Sequence, residues 1–226
     1  MKKNYSIFKK ISVISLMIIS LTLTAQTKKI LIVQVQDTLF VHSHIGLTAF
    51  SNFTDTLKID FSYSKFIEEK LTKYLENSFE TKFISPPKEI RENAIGYWGQ
   101  SKEFKKWITE TQQGYDFLIL IYNIDISNEL SNAPILKNSN GFYSRGLLHG
   151  VYTTIGFDAY QVPNKRLEHY NLGSKVFIQL KDFKMPDDKR TFDDQMLETI
   201  KSELIKQIDN RIKYFLTKTY ILPNLE

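Results

Sequence analysis

The sequence predicts an α/β (α+β) fold, a single domain in which helices pack on a mixed, twisted sheet, with a long antiparallel hairpin and a long C-terminal helix. Three observations carry that expectation. Residues 116–126 (DFLILIYNIDI) form an almost unbroken apolar run, as suits a central strand covered on both faces. Residues 144–160 and 167–180 alternate apolar and polar positions on either side of Pro163-Asn164-Lys165, the pattern of a hairpin. From Thr191 to about Lys218, Met196, Leu197, Ile200, Leu204, Ile208, Ile212, Phe215 and Leu216 recur at helical spacing, with Asp194 in the capping-box position.

The remaining elements follow from the same periodicities. Residues 29–35 (KILIVQV) and 39–48 (LFVHSHIGLT) read as two strands with Asp37-Thr38 between them. Tyr63, Phe66, Ile67, Leu71, Tyr74, Leu75 and Phe79 then trace one face of an amphipathic helix, with Glu68 and Glu69 on the other. A short strand at residues 82–85 is stopped by Pro86-Pro87, which lack amide donors and suit the first turn of a short helix. Ser101 reads as the N-cap of a further helix whose face holds Phe104, Trp107, Ile108 and Thr111 and which Gly114 closes. Residues 127–142, rich in Asn and Ser, read as a long loop.

The N-terminus carries an export signature. Lys2, Lys3, Lys9 and Lys10 make a positive segment, residues 11–24 are apolar, and Leu23-Thr24-Ala25 before Gln26 fits a cleavage site. The apolar run falls short of the roughly 20 residues that span a bilayer, so residues 1–25 are expected to be a removed signal peptide and residues 26–226 the mature envelope domain, periplasmic or secreted, with no transmembrane segment after processing. Four lysines and no acid leave with the signal, so of the formal +5 only about +1 remains. That balance, with no dense Lys/Arg block downstream, argues against nucleic acid as a partner; Lys105-Lys106 reads as helix surface. Cysteine is absent, which excludes disulfides, thiol catalysis and a lipidated cysteine. Asn52-Phe53-Thr54 matches a glycosylation sequon, a chance match in a chain whose signal looks bacterial.

Candidate chemistry is sparse. His42 and His44 alternate on a strand and so share a face, as two metal ligands must; a catalytic zinc needs a third protein ligand, for which His149 and His169 on the late hairpin are the candidates. Asp187, Asp188, Asp193 and Asp194 flank the start of the last helix, where the helix dipole already favours carboxylates, and they lack EF-hand spacing. Tyr97-Trp98, between Gly96 and Gly99, offers two aromatics for stacking on a glycan or anchoring a protein. Ser144-Arg145-Gly146 is not a nucleophile elbow, since Phe142 replaces the first glycine of GxSxG, and no phosphate-binding glycine loop occurs. The hairpin arms are long enough for a transmembrane ribbon, but His149, Asp158, Glu168, Lys175, Gln179 and Lys181 interrupt its faces. A sheet packed under Ile200, Leu204 and Ile208 is expected instead.

In element order the chain resembles the small α/β envelope domains of the TolB N-terminal and curli-secretion (CsgG-like) type. Leu47-Thr48-Ala49-Phe50-Ser51-Asn52 is similar to the Phe-Asn turn that ends the first strand of those domains. The chain differs in an extra N-terminal strand and in lacking the lipid-anchor cysteine. Fold analogy supplies no reaction. The sequence therefore points to an exported, non-enzymatic envelope protein that binds or helps assemble another envelope component, an envelope protein or glycan, with no cofactor. The alternative is a metal-dependent hydrolase built on His42 and His44. If the signal is removed at Ala25, intact mass spectrometry of the exported protein gives a chain starting at Gln26; full-length protein in the inner membrane would show an anchor instead.

Overall fold

The computed structural model describes residues 27–35, 38–91, 94–96, 99–126, 130, 139–162, 165–170, 176–219 and 221. The signal segment and the Tyr97-Trp98 pair lie outside them. In chain order the elements are β1 (Lys28–Gln34), β2 (Leu39–Ile45), β3 (Phe53–Thr56), α1 (Tyr63–Leu75), β4 (Phe79–Ile84), α2 (Lys88–Arg91), β5 (Ile95–Gly96), β6 (Gly99–Gln100), α3 (Lys102–Thr111), β7 (Phe117–Asn123), β8 (Ser139–Arg145), β9 (Leu148–Tyr152), β10 (Ile155–Gln161), β11 (Lys165–Tyr170), β12 (Phe177–Gln179) and α4 (Asp194–Lys218). The α/β class, with helices on sheets and a long C-terminal helix, is as expected. The strands divide between two mixed five-stranded sheets, however, ordered β11-β10-β7-β1-β4 and β12-β9-β8-β2-β3, and β5 and β6 pair separately.

In the first sheet, β1 runs parallel to both β4 and β7, and β10 returns antiparallel to β7. Alternation puts Ile30, Ile32, Ile119 and Ile121 on one face and Leu31, Val33, Leu118 and Leu120 on the other, all buried. The first set packs against α1 and α4, and the second against Phe104 and Ile108 of α3, so β1 and β7 are covered on both sides, as parallel strands require. In the second sheet β2 runs parallel to β8 and antiparallel to β3. Its inner face, including Phe40, Phe142 and Val151, joins the same core as Ile200, Leu204, Ile208 and Phe215 of α4. Phe157 of the first sheet stacks on Phe215 at 4.8 Å. One helix therefore serves both sheets.

Several boundaries differ from the sequence reading. Phe79, expected on a helical stripe, begins β4, because α1 ends at Leu75 and Ser78 bonds back to the Leu75 carbonyl. The α4 N-cap is Asp193, whose carboxylate accepts the Met196 amide at 2.7 Å. Thr191 instead donates its hydroxyl to Asp188 at 2.6 Å. A carboxylate is the stronger acceptor at a helix start, where the dipole also favours it. Residues 139–142, expected in a loop, form the start of β8. Gly141 is required there, since a Cβ would stand 1.9 Å from the Val41 carbonyl oxygen of β2 and the backbone lies at φ +154°. The stretch 144–160 is cut twice, by a turn at Gly146-Leu147 and by a crossing between the sheets at Thr153-Thr154; β10 pairs antiparallel with β11, while β12 pairs with β9.

The crossing is buried, so its polar groups need partners within the protein. Asn140 Oδ1 accepts the Thr154 amide at 2.7 Å, the Thr154 hydroxyl donates to the Ser139 carbonyl at 2.9 Å, and Ile124 donates to the Thr154 carbonyl at 2.7 Å. The amide of Thr153 reaches Val176 at 3.0 Å. From α4, the buried Arg211 guanidinium donates to the Ile155 carbonyl, and burial lowers its pKa to about 10. Asn140→Leu keeps the branched side-chain shape but leaves the Thr154 amide buried and unpaired. Urea unfolding of that variant is expected to show a loss of about 1–3 kcal/mol; an unchanged midpoint would mean that the crossing has another acceptor.

Candidate functional site

Polar and aromatic residues meet on the inner face of the second sheet. His42 and His44, two apart on β2, share that face, and the register sets them beside Phe142 and Ser144 of β8. The Ser144 hydroxyl lies 2.7 Å from His42 Nε2 and 2.7 Å from His44 Nδ1. A serine hydroxyl can accept from one ring N–H while donating to the other ring's bare nitrogen, so one residue pairs with one nitrogen of each neutral imidazole. Phe53 of β3 stacks on His44 at 4.9 Å and meets His42 edge-on at 5.1 Å. Phe142 and Phe192 also pack on His42. Arg190 grips Asp55 of β3 through both carboxylate oxygens, at 3.0 and 3.2 Å, and lies 4.2 Å over the Phe53 ring. This contact fastens the segment before α4 over the histidines.

His42 is 1% exposed. Burial, then the proximity of His44 and Arg190, lower its pKa to about 3, although the Lys189 carbonyl lies close enough to oppose the shift; His42 Nδ1 makes no hydrogen bond of ordinary geometry to it. The His44 pKa is also lowered, by burial and by Lys189 and Arg190. Both rings are therefore neutral at pH 7, which suits metal ligation as well as packing. A third ligand is what the geometry lacks: among the described residues no group of three or more histidines, cysteines or carboxylates comes within metal reach. His149 pairs with Ser144 across β8 and β9, but its ring packs on Phe142 and Phe183, and its buried nitrogens make no hydrogen bond. His169 is on β11, in the other sheet. Asp193 caps α4 and Asp188 binds the Arg190 amide and the Thr191 hydroxyl.

Ser144 is itself buried, beneath two rings, so no substrate atom reaches its Oγ. A cleft of about 630 Å³ opens elsewhere, between Leu180–Lys184 and the first turns of α4 at Met196 and Thr199. Its lining intersperses Lys181 and Lys184 with Asp182 and Glu203 and does not include the histidines or Ser144.

What sequence reasoning missed lies at the edge of this polar cluster. Because β2 and β8 run parallel with Ile45 beside Arg145, the loop after β2 and the turn after β8 leave the same end of the sheet. The side chains of Leu47 (103% exposed), Phe50 (101%) and Leu147 (92%) project there into solvent. With Leu148 they are four of the five most exposed large apolar side chains among the described residues. The polar residues of the first loop bond to the loop's own backbone: Asn52 Oδ1 accepts the Gly46 amide at 2.9 Å, and Ser51 Oγ accepts the Thr48 amide at 3.2 Å and donates to the Thr48 carbonyl at 2.8 Å. A 3₁₀ turn at Ala49–Ser51 completes the loop. In the second loop Gly146, at φ +55°, takes the first position of a two-residue hairpin turn. Leu147, within the stretch 144–160 read as one alternating arm, stands at the turn instead. The available signal was Arg145-Gly146-Leu147, a glycine where a tight hairpin needs one.

The histidine pKa values set a pH dependence. In the unfolded chain His42 takes up a proton near pH 6.5, whereas the folded chain excludes it until about pH 3, so the unfolded state binds more protons between those values. Stability accordingly falls as pH drops below 6.5, by at most about 1.4 kcal/mol per pH unit for this group. His42→Gln should flatten the fall when urea unfolding is followed from pH 7 to pH 4. Equal slopes in both proteins would show that His42 protonates in the folded state.

No protein-family model matches this sequence, and no curated protein matches it. Among solved structures, the chain is similar to the 1.65 Å structure of the hypothetical protein CT253 from Chlamydia trachomatis, at 7% identity and a TM-score of 0.38, over 82% of this chain and 95% of that one. A likeness of that degree carries no argument about function.

Proposed function

We propose that this protein is an exported, non-enzymatic component of the bacterial envelope, a relative in kind of the TolB N-terminal and CsgG-like domains, that binds another envelope component through the end of its second sheet. One observation carries the reading: Leu47, Phe50 and Leu147 are held in water by loops that do not need them for their own structure. Exposed apolar side chains gathered at one end of a sheet offer a contact surface, and burying each of these in a partner yields about 1.5–3 kcal/mol. The export signature of the sequence supports an envelope location for this surface. The buried polar cluster favours binding over catalysis, since its one hydroxyl is occupied by two neutral rings and closed to solvent. No helix among the described residues is long and apolar enough to cross a membrane.

A photo-crosslinking residue placed at Leu47, Phe50 or Leu147 in the native host tests the surface. Adducts to an envelope component are expected from these positions and not from Lys106, exposed on α3. Equal labelling from Lys106, or no envelope adduct from any tip position, would reject the reading.

A further inference from the structure

We infer that the occupant of this tip is the surface of a lipid bilayer bearing anionic headgroups, into which Leu47, Phe50 and Leu147 insert. The inference rests on the reading that the tip is the contact surface, and three features of the tip choose lipid over a protein groove.

Shape is the first. The apolar side chains stand out singly from two neighbouring loops, each almost fully exposed, so they form a convex set of points and not a flat or concave patch. A fluid acyl layer closes around such points without a matching pocket. Backbone satisfaction is the second. The headgroup–acyl boundary penalises unpaired N–H groups, and the first loop pairs four of its amides internally: the Gly46 and Thr48 amides are taken by Asn52 and Ser51 side chains, and the Ser51 and Asn52 amides by the Thr48 and Ala49 carbonyls at 3.0 and 3.4 Å. A protein partner that read this loop by hydrogen bonds would find those donors already used.

Charge is the third. Residues 46–52 and 146–148 contain no ionisable side chain, and exposed Arg145 stands at the base of the second loop. Exposed Lys189 is close enough to His44 to disfavour protonation of its ring. On β3 the carboxylate of Asp55 is held by Arg190. An apolar point with cations at its base and its nearest strand carboxylate paired is the arrangement that seats on an anionic interface, where each cation near the surface strengthens binding by about fivefold.

Flotation of the exported protein with vesicles tests this. With equal parts of phosphatidylethanolamine and phosphatidylglycerol the protein is expected to float, and with phosphatidylcholine alone to float several-fold less. Each of Leu47→Ser, Phe50→Ser and Leu147→Ser should lower the partition coefficient by about tenfold, the triple variant should remain at the bottom, and Arg145→Glu should weaken binding to the anionic vesicles alone. The three apolar side chains make no core contact, so an unchanged thermal unfolding midpoint separates lost binding from lost fold. Failure of the wild type to float with anionic vesicles, or equal flotation of the triple variant, overturns the inference. If tip crosslinks to an envelope protein persist while flotation fails, the contact surface stands with a protein occupant; if tip crosslinks fail as well, the surface itself is misassigned.

Discussion

The chain has to pass from one sheet to the other in the middle of the protein, and the rest of the structure depends on how it does so. Thr153 and Thr154 are buried, and a strand that ends there strands its amides and carbonyls away from water. Side chains take over the ladder's role. Asn140 imitates a backbone acceptor for Thr154, the Thr154 hydroxyl bonds the Ser139 carbonyl, and Arg211 reaches from α4 to the Ile155 carbonyl. Removing a charged guanidinium from water is costly, as its lowered pKa records. That cost is offset because the same contact ties the helix to the place where the sheets part. Val151, Ile155 and Phe157 can then all face α4, and the two sheets share a single core.

The second sheet carries its own polar problem on the face that helps build this core. Two imidazoles and a hydroxyl sit among Phe53, Phe142 and Phe192, where an unpaired polar atom costs about 1–3 kcal/mol. Ser144 resolves most of it by serving both rings at once. The rings stay neutral, and Arg190 with Asp55 fastens the cover. The consequence reaches the sheet end, because His44 and Ser144 are each the last residue but one of their strands. The two loops of the tip therefore spring from an end whose packing is complete on the inner face.

Which parts were legible follows from which forces act locally. The stripe of α4 and the apolar run of β7 are dictated by burial, and burial imposes a period that a sequence displays. Tyr63, Ile67, Leu71 and Leu75 of α1 are a third such case, and all four are buried. The division into two sheets was illegible for a definite reason. His149, Val151, Thr153, Ile155 and Phe157 keep the same parity through the crossing, so alternation continues while the strand changes sheets. The start of β8 (Ser139-Asn140-Gly141-Phe142) was hidden differently. Asn140 and Gly141 have low strand propensity, and the segment is recruited by β2 through parallel pairing and close backbone approach, which are non-local. For the histidines, spacing revealed the shared face, but the partner that occupies both lies 100 or more residues away in sequence.

Exposure at the tip was the least legible feature, because it depends on what the apolar residues fail to touch. In most of this protein stability and apolar burial are one thing: remove Phe215 and the stacking on Phe157 goes with it. The loop after β2 separates the two. Its conformation is held by Gly46, Thr48, Ser51 and Asn52, and Gly46 is obligatory because a Cβ there would stand 1.9 Å from the Ser51 oxygen. Leu47 and Phe50 contribute nothing to that framework and incur a hydration cost as long as they face water. A preorganised loop loses little conformational entropy when it docks, so most of the free energy of burying those two side chains is available to binding. Such a division, with polar residues for shape and apolar residues for contact, is the physical ground on which we propose recognition at this end of the sheet and not at the histidines behind it.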